Sequence, residues 1–376
     1  MKVIHLMDTL GVFGGVNSFV YDLCKELKMI NVDVSIIGIL SKSKNQDLIE
    51  ELQACGIKVF CLDAPGKKEA VLHYRTKLRN TIKMISANEE TIVNCHLRLG
   101  TLMGAIAVKG LKNVKCVETY HSQYPHYWLQ YNLCKRRICK YIACSVSAMN
   151  EFAARFHPKK DKLIAIPNGI DSASIRNITG NPASEYPNET VFLSVGRFTN
   201  QKNFLVSIGA YLKANLQSSK YVIIGSGPEE IKLRETAKDN ANVIFTGPVS
   251  RQRVLEAVRT ADMVVMPSLL EGLSIFMLET LALGCPMMIS NEAALRDVFH
   301  EQPLKVGETW RKCKWGYVVD TSNEEAYSEA MTDFIASKDV KQEMHREIER
   351  LADEYDIKVS ACSYKKIYEN LTRNLV

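Results

Sequence analysis

The sequence predicts an α/β protein built from two doubly wound parallel sheets. Short apolar runs, rich in Val and Ile, alternate with longer helix-like stretches along nearly the whole chain. The runs are continuously apolar, as expected for parallel strands buried on both faces. The series is interrupted near the middle by a segment rich in Asn, Ser, Pro and Gly, which reads as a linker. At 376 residues the chain is long enough for two domains of ordinary size.

Taken in order, the first series comprises Val3 to Met7, Val32 to Gly38, Ile92 to Cys95, Cys116 to Tyr120, Tyr141 to Cys144 and Leu163 to Ile166. The break runs from Ile170 to Thr190, so a first domain is expected over 1–170 and a second over 171–359. The second series comprises Val191 to Val195, Tyr221 to Ile224, Val243 to Phe245, Met263 to Met266, Met287 to Ile289 and Tyr317 to Val319. From Asn323 onward the pattern is mostly helical, and 360–376 is placed to pack back on the first domain.

Composition narrows the function. A hydrophobic content of 46% with 24% charged residues fits a soluble globular protein. A net charge of +6 permits an anionic ligand or membrane surface. It does not require nucleic acid, and no nucleic-acid module accompanies it. The 11 cysteines form no CxxC pair and no Cys/His spacing suited to zinc. They are expected to be reduced thiols of a cytoplasmic protein, and no metal site is expected. Met1 to Met7 is too soon interrupted by Asp8 for a signal peptide, and no apolar run approaches a membrane span.

Open parallel sheets bind ligands beyond the carboxyl ends of their strands. That rule selects Thr9 to Gly15, His96, His121, Asn168-Gly169, Gly196-Arg197, Gly225 to Gly227 and Pro267 to Ser274. The most informative stretch is Glu271-Gly-Leu-Ser-Ile-Phe-Met-Leu-Glu279, which bridges an apolar strand and a helix. An ionised carboxylate accepts two hydroxyl hydrogen bonds at once, and N–H groups at a helix start can face phosphates. Fully helical spacing would set the two acids about 12 Å apart, roughly the reach from sugar to ribose across a diphosphate. Arg197 and Lys202 follow a strand together and can both point at a diphosphate, one as a planar fork, the other as a point charge. Paired Gly14-Gly15 lets backbone approach a ligand, but without the third glycine of a dinucleotide fingerprint. Gly225-Ser-Gly-Pro228 and Phe245-Thr-Gly247 are loops that can hold a flat base through backbone groups, or ordinary turns.

In this order and spacing the motifs resemble the family-4 retaining glycosyltransferases, nearly end to end. The resemblance rests on Gly14-Gly15, His121, Ile166 to Asp171, Val195 to Phe198 with Lys202, Gly225 to Pro228, Phe245 to Gly247, and Glu271 to Glu279 with Gly284-Cys-Pro286. It implies the GT-B fold, two Rossmann-like domains facing across a cleft, and a metal-independent reaction with no cofactor. It implies that Arg197 and Lys202 hold the donor diphosphate, Glu279 the ribose and Glu271 the transferred sugar. His121 would contact that sugar, and Gly15 would lie against the diphosphate or acceptor. Leu273 and Ser274 would meet sugar and phosphates through their backbones. Gly196, Gly227 and Thr246 would line the nucleotide. The chain departs from the family at Leu273-Ser274, where Phe-Gly is common, at Asn17-Ser18, where Glu-Arg is common, and at Ser122, where Gly follows the histidine.

On the acceptor side, the run from Tyr120 to Lys140 sets aromatics before the cations Lys135, Arg136, Arg137 and Lys140. Those are features of peripheral membrane contact, and also of an amphipathic helix with a solvated basic face. The expected function is a glycosyltransferase, cytoplasmic and peripheral on the inner face of the cell membrane. It would move a hexose or N-acetylhexosamine from a nucleoside diphosphate sugar, with a UDP-sugar as the expected donor, to a glycan or lipid-linked glycan of a bacterial surface polysaccharide. The rivals are a nucleotide-sugar epimerase of the same fold and a catalytically inactive sugar-nucleotide binding subunit.

Overall fold

The structure is a computed structural model. It describes every residue except 12, 13, 43, 122–126, 179–184, 239, 338, 339 and 374–376; the side chains of 340–343 and 349 are likewise not described. The chain divides into two compact units, Met1–Asp171 with Tyr355–Val376, and Ser172–Glu354.

In the first unit, the strands β1 (Lys2–Met7), β2 (Asp33–Leu40), β3 (Lys58–Ala64), β4 (Thr91–His96), β5 (Val114–Tyr120), β6 (Ile138–Ala143) and β7 (Leu163–Ala165) form one sheet. Their order is β3-β2-β1-β4-β5-β6-β7, parallel throughout. In the second unit, β8 (Thr190–Val195), β9 (Ser219–Ile224), β10 (Val243–Gly247), β11 (Met263–Met266), β12 (Met287–Ser290), β13 (Trp310–Cys313) and β14 (Gly316–Val319) are ordered β10-β9-β8-β11-β12-β14-β13. Among the described residues, the β13–β14 pair alone is antiparallel. Each sheet reverses its winding once, between β1 and β4 and between β8 and β11, and those reversals open the crevices where such sheets bind ligands.

The central strands are buried as the apolar runs require: Val3, Ile4, Leu6 and Met7 of β1 are at 0% exposure. Burying each such side chain stabilises the fold by about 1.5–3 kcal/mol relative to leaving it in water. The run pattern did not anticipate β3 and β13. Both are edge strands with mixed burial, and Trp-Arg-Lys-Cys of β13 carries little apolar signal.

The chain returns to the first unit at Tyr355, ahead of the expected residue 360. The cause is backbone pairing, since Ile170 N–H donates to Tyr355 O at 2.9 Å and Ile357 N–H to Ile170 O at 2.8 Å. Gly169 sits at this crossing, where a Cβ would fall 2.8 Å from Ile357 Cα and 2.7 Å from Ser360 Oγ. The Asn168-Gly169 motif thus carries a close backbone approach. The final helix, Ile357–Arg373, packs on the first unit. Asn94 Nδ2 donates to Tyr368 Oη at 2.8 Å, and Lys365 Nζ donates to Ile30 O at 2.8 Å. Among the described residues, no helix is long and apolar enough to cross a membrane.

Candidate active site

In the second unit, the loops after β8 and β11 meet at the winding reversal and are tied together by hydrogen bonds. Leu269 N–H donates to Gln201 O at 2.8 Å, Gln201 Nε2 donates to Leu270 O at 2.7 Å, and Asn203 Nδ2 donates to Pro267 O at 3.2 Å. The last of these is held by a left-handed Asn203, at φ 54°. The framework places Lys202 Nζ 2.5 Å from Glu271 Oε1, with the Glu271 side chain 9% exposed. Sequence spacing suggested that Lys202 and Glu271 address different parts of a ligand. The structure makes them an ion pair. Arg197 is exposed at the end of β8, and its side chain makes no ion pair among the described residues.

Glu271 lies in the loop, and only Ile275–Ala282 is helical, so the two acids do not share one continuous helix. Ser274 caps that helix, its Oγ accepting from Met277 N–H at 3.4 Å, and Leu273 is buried beside it. The cap leaves the first N–H groups of the helix available to an anion. Glu279 is buried within the helix, and Arg251 Nε donates to its Oε1 at 2.6 Å. Burial pushes the Glu279 carboxyl above its ordinary range, and the Arg251 guanidinium opposes that shift.

Sequence reasoning missed Arg251. Its signal is a cation at the first position of the helix Arg251–Thr260, where the helix dipole disfavours positive charge. It also missed Glu292, whose carboxyl accepts from Leu295 N–H at 3.1 Å. Burial raises this group to about 7, and the charge of Glu271 adds to the shift.

The glycine loops have a clear physical basis. A Cβ on Gly225, at φ 142°, would lie 1.9 Å from Gly196 O, and one on Gly227 would lie 2.4 Å from Phe198 O. The loops after β8 and β9 therefore pack backbone against backbone, with Phe198 N–H donating to Ser226 O at 2.9 Å. Gly196 N–H donates to Ile224 O at 3.0 Å in the same seam. Thr246, exposed at the end of β10, donates its hydroxyl to Gly247 O at 2.9 Å. The structure thus gathers Gly196, Arg197, Lys202, Gly227, Thr246, Glu271, Leu273 and Ser274 at the carboxyl ends of four adjacent strands, with Glu279 in the helix that follows the β11 loop.

The first unit holds the other two predicted residues. Gly15 opens the helix Gly15–Met29, preceded by Gly14 at φ 105°, a backbone conformation that favours glycine. Asn17, standing where the family often has Glu, donates from Nδ2 to Gly11 O at 3.0 Å. His121 directly follows β5 and is 5% exposed. Its Nε2 lies 3.0 Å from His96 Nδ1, and burial lowers its pKa to about 3. It is a neutral imidazole.

The Tyr120 to Lys140 run is not one helix. Tyr120 ends β5, 122–126 lie outside the described residues, a helix spans Tyr127–Cys134, and Lys140 belongs to β6. Lys140 Nζ donates to Asp161 O at 2.6 Å, so it does not share the face of Lys135, Arg136 and Arg137, which are exposed. Tyr120, Tyr127 and Tyr131 are buried in an aromatic cluster with Phe152 and Phe156. Among the described residues of the run, the exposed large apolar groups are Trp128, Leu129 and Leu133. No cluster of His, Cys, Asp and Glu suited to a metal ion occurs among the described residues.

Comparison with known proteins bears on the family and the fold. Residues 13–174 match the model of Glycosyltransferase Family 4, and residues 179–351 match that of Glycosyl transferases group 1. Among curated relatives, the putative glycosyltransferase EpsF of Bacillus subtilis is 27% identical over 314 residues, covering 77% of this chain and 79% of EpsF. The UDP-Gal:alpha-D-GlcNAc-diphosphoundecaprenol alpha-1,3-galactosyltransferase of Escherichia coli is 25% identical over 264 residues, covering 62% of this chain and 66% of that protein. Among solved structures, a glycosyltransferase from Rickettsia africae superimposes with a TM-score of 0.79 at 17% identity, over 99% of each chain. Anabaena Alr3699/HepE in complex with UDP and glucose superimposes with a TM-score of 0.80 at 14% identity, over 99% of this chain and 100% of that one. The chain carries both glycosyltransferase domains, and its two parallel-sheet units are those of the GT-B fold.

Proposed function

We propose that this glycosyltransferase moves a hexose or N-acetylhexosamine from a UDP-sugar to a growing lipid-linked glycan, with retention of configuration. The observation that carries the reading is a pair of charge pairs beyond the carboxyl ends of the second sheet, Lys202 with Glu271 on the loops after β8 and β11 and Arg251 with Glu279 on the helices after β10 and β11, with Arg197 exposed after β8. The leaving nucleoside diphosphate gains negative charge as its bond to the sugar breaks. Arg197 and Lys202 are fixed cations that stabilise this charge, most strongly in the transition state. Glu279 accepts hydrogen bonds from ribose hydroxyls and Glu271 from the sugar, while the N–H groups beyond Ser274 face phosphate oxygens. His121, being neutral, offers a hydrogen bond to a substrate oxygen without a charge. The HepE complexes with UDP and glucose support the donor class, and the Escherichia coli relative supports the lipid-linked acceptor.

The surface of the helix Tyr127–Cys134 supports a membrane contact for such an acceptor. Trp128, Leu129 and Leu133 are 62%, 53% and 58% exposed, directly before the exposed cations Lys135, Arg136 and Arg137. Apolar groups beside cations suit an anionic bilayer surface.

Calorimetry with UDP, GDP and ADP tests the donor class, and UDP is expected to bind most tightly. Failure of all three diphosphates to bind would remove the reading. Because Arg197 and Lys202 supply the positive charge, the reaction needs no added metal, and turnover should survive a chelator. Loss with EDTA, restored by magnesium or manganese, would show that the diphosphate is held differently.

A further inference from the structure

Three imidazoles from three neighbouring strands of the first unit stand in one hydrogen-bonded file. His5 of β1 has Nδ1 at 2.9 Å from Nε2 of His96, which ends β4. His96 Nδ1 in turn lies 3.0 Å from Nε2 of His121, which directly follows β5. The rings lie close, with centroids 5.2 and 5.3 Å apart and interplanar angles of 17° and 30°. The outer rings face uncharged partners, Tyr368 edge-on to His5 and Phe19 edge-on to His121. Burial keeps all three neutral, and for the central His96 a charge on either neighbour would add to the effect.

A neutral imidazole carries one N–H and one bare nitrogen. His96 uses both nitrogens inside the file, so the three tautomers are locked together and only two arrangements exist. In one, the file donates from His5 toward His121, and His121 is left with a proton on Nδ1. In the other, it donates from His121 toward His5, and His5 is left with a proton on Nε2. Both of these outer nitrogens are buried without a partner among the described residues. A buried N–H without an acceptor is the more costly fault, so its position decides between the arrangements. His5 is sealed at 0% exposure. His121 lies at the carboxyl edge of the sheet, where open parallel sheets take their ligands, and there a substrate oxygen can accept the proton.

We propose that His5 and His96 are positioning residues that fix His121 as the Nδ1–H tautomer, making it a hydrogen-bond donor to a substrate oxygen. This rests on the reading of His121 as a substrate-contacting residue. Neither His5 nor His96 touches the substrate. Their effect passes through two hydrogen bonds to the nitrogen that does.

The test is a long-range proton–nitrogen correlation spectrum of the full chain labelled with nitrogen-15 histidine, at neutral pH. The His121 signals are assigned by their absence from the His121→Gln spectrum. The expected pattern is a protonated Nδ1 and a bare Nε2 on His121, with a bare Nε2 on His5. A protonated Nε2 on His121 overturns the proposal. In His5→Leu the file loses its anchoring donor, so His121 should shift toward the average of both tautomers. Turnover should fall about tenfold, the effect of weakening one hydrogen bond, with UDP affinity unchanged. An unaltered His121 spectrum and turnover in that variant would also overturn it. If His5→Leu does not fold, the wild-type spectrum alone decides. A wild type with the expected spectrum but no affinity for UDP would keep the tautomer assignment and remove the nucleotide-sugar reading.

Discussion

The two units share the order of their first five strands but furnish their winding reversals with opposite chemistry. At the β8–β11 reversal, Lys202, Glu271, Glu279 and Arg251 are charged and paired, with Arg197 exposed nearby. At the β1–β4 reversal and its neighbour β5, His5, His96 and His121 are buried and neutral. A doubly wound sheet supplies the crevice, and side chains decide what it can hold. Fixed charges suit a diphosphate whose own charge changes during reaction. Neutral donors suit sugar hydroxyls, which need direction more than charge.

The sharpest way to break this comparison is to discharge the second unit. Arg197→Ala and Lys202→Ala should each lower turnover by about 100–1,000-fold, as loss of a preorganised donor does in other enzymes. The fold should remain intact, because Arg197 is exposed and Lys202 is partly so. Steady-state kinetics with circular dichroism on each variant is the check. Near-normal turnover in both would mean that the charged reversal does not serve the diphosphate.

A second test uses pH, because the units contain groups perturbed in opposite senses. Glu292 is raised from 4.5 to about 7. Between those values the folded state binds more protons than the unfolded one, so stability falls as pH rises. At pH 8 the whole effect is present, up to about 3 kcal/mol, and Glu292→Gln should relieve it while still accepting from Leu295 N–H. His5 is lowered from 6.5 to about 3. There the unfolded state binds more protons, so stability falls as pH drops below 6.5. His5→Leu should therefore gain on wild type as pH falls. Urea titrations at pH 5.5 and 8 read both effects, and a Glu292→Gln advantage that does not grow with pH would contradict the first.

The contrast was only half legible in the sequence. Lys202, Glu271 and Glu279 stand out because their spacing on a strand-to-helix turn is local, and β1 or β11 because both faces are buried. Their pairing is not local. Lys202 meets Glu271 across 69 positions, and Arg251 meets Glu279 only because β10 and β11 flank β8 and β9 in a crossed-over order. The histidine file joins residues 91 and 25 positions apart, and none of its members sits in a motif except His121. Gly225 and Gly227 were visible as glycines, but the reason, a backbone contact with Gly196 and Phe198, needed the fold.

A finer test separates the two charge pairs. Glu279→Gln should weaken UDP binding, whereas Glu271→Gln should leave UDP affinity nearly intact and impair turnover with the sugar donor. Arg251→Ala should weaken UDP binding about tenfold, within the range for removing one partner of a charge-assisted hydrogen bond. The loss should deepen toward acid pH, because Glu279 without its guanidinium is more easily protonated. Calorimetry with free UDP across pH distinguishes the three. Equal losses for Glu271→Gln and Glu279→Gln would dissolve the division of labour.

The smallest expected effect concerns the outside of the first unit, whose buried reversal is neutral while its surface is not. If the Tyr127–Cys134 helix meets a bilayer, Arg136 and Arg137 should contribute about 1 kcal/mol each at an anionic surface. Tyr120, Tyr127 and Tyr131 are spent on the core, so among the described residues Trp128, Leu129 and Leu133 are left as the apolar contact. Reversing both arginines to Glu should release the protein from anionic vesicles at low salt, and high salt should release wild type, since exposed charges are screened over about 8–10 Å. Trp128→Ala should weaken binding with less dependence on salt, because it removes apolar contact and not charge. Donor hydrolysis should be unaffected in all these variants, while transfer to a lipid-linked acceptor should slow. Vesicle flotation decides the matter. A wild type that does not float at low salt would make this an ordinary solvated helix and would point to a soluble acceptor.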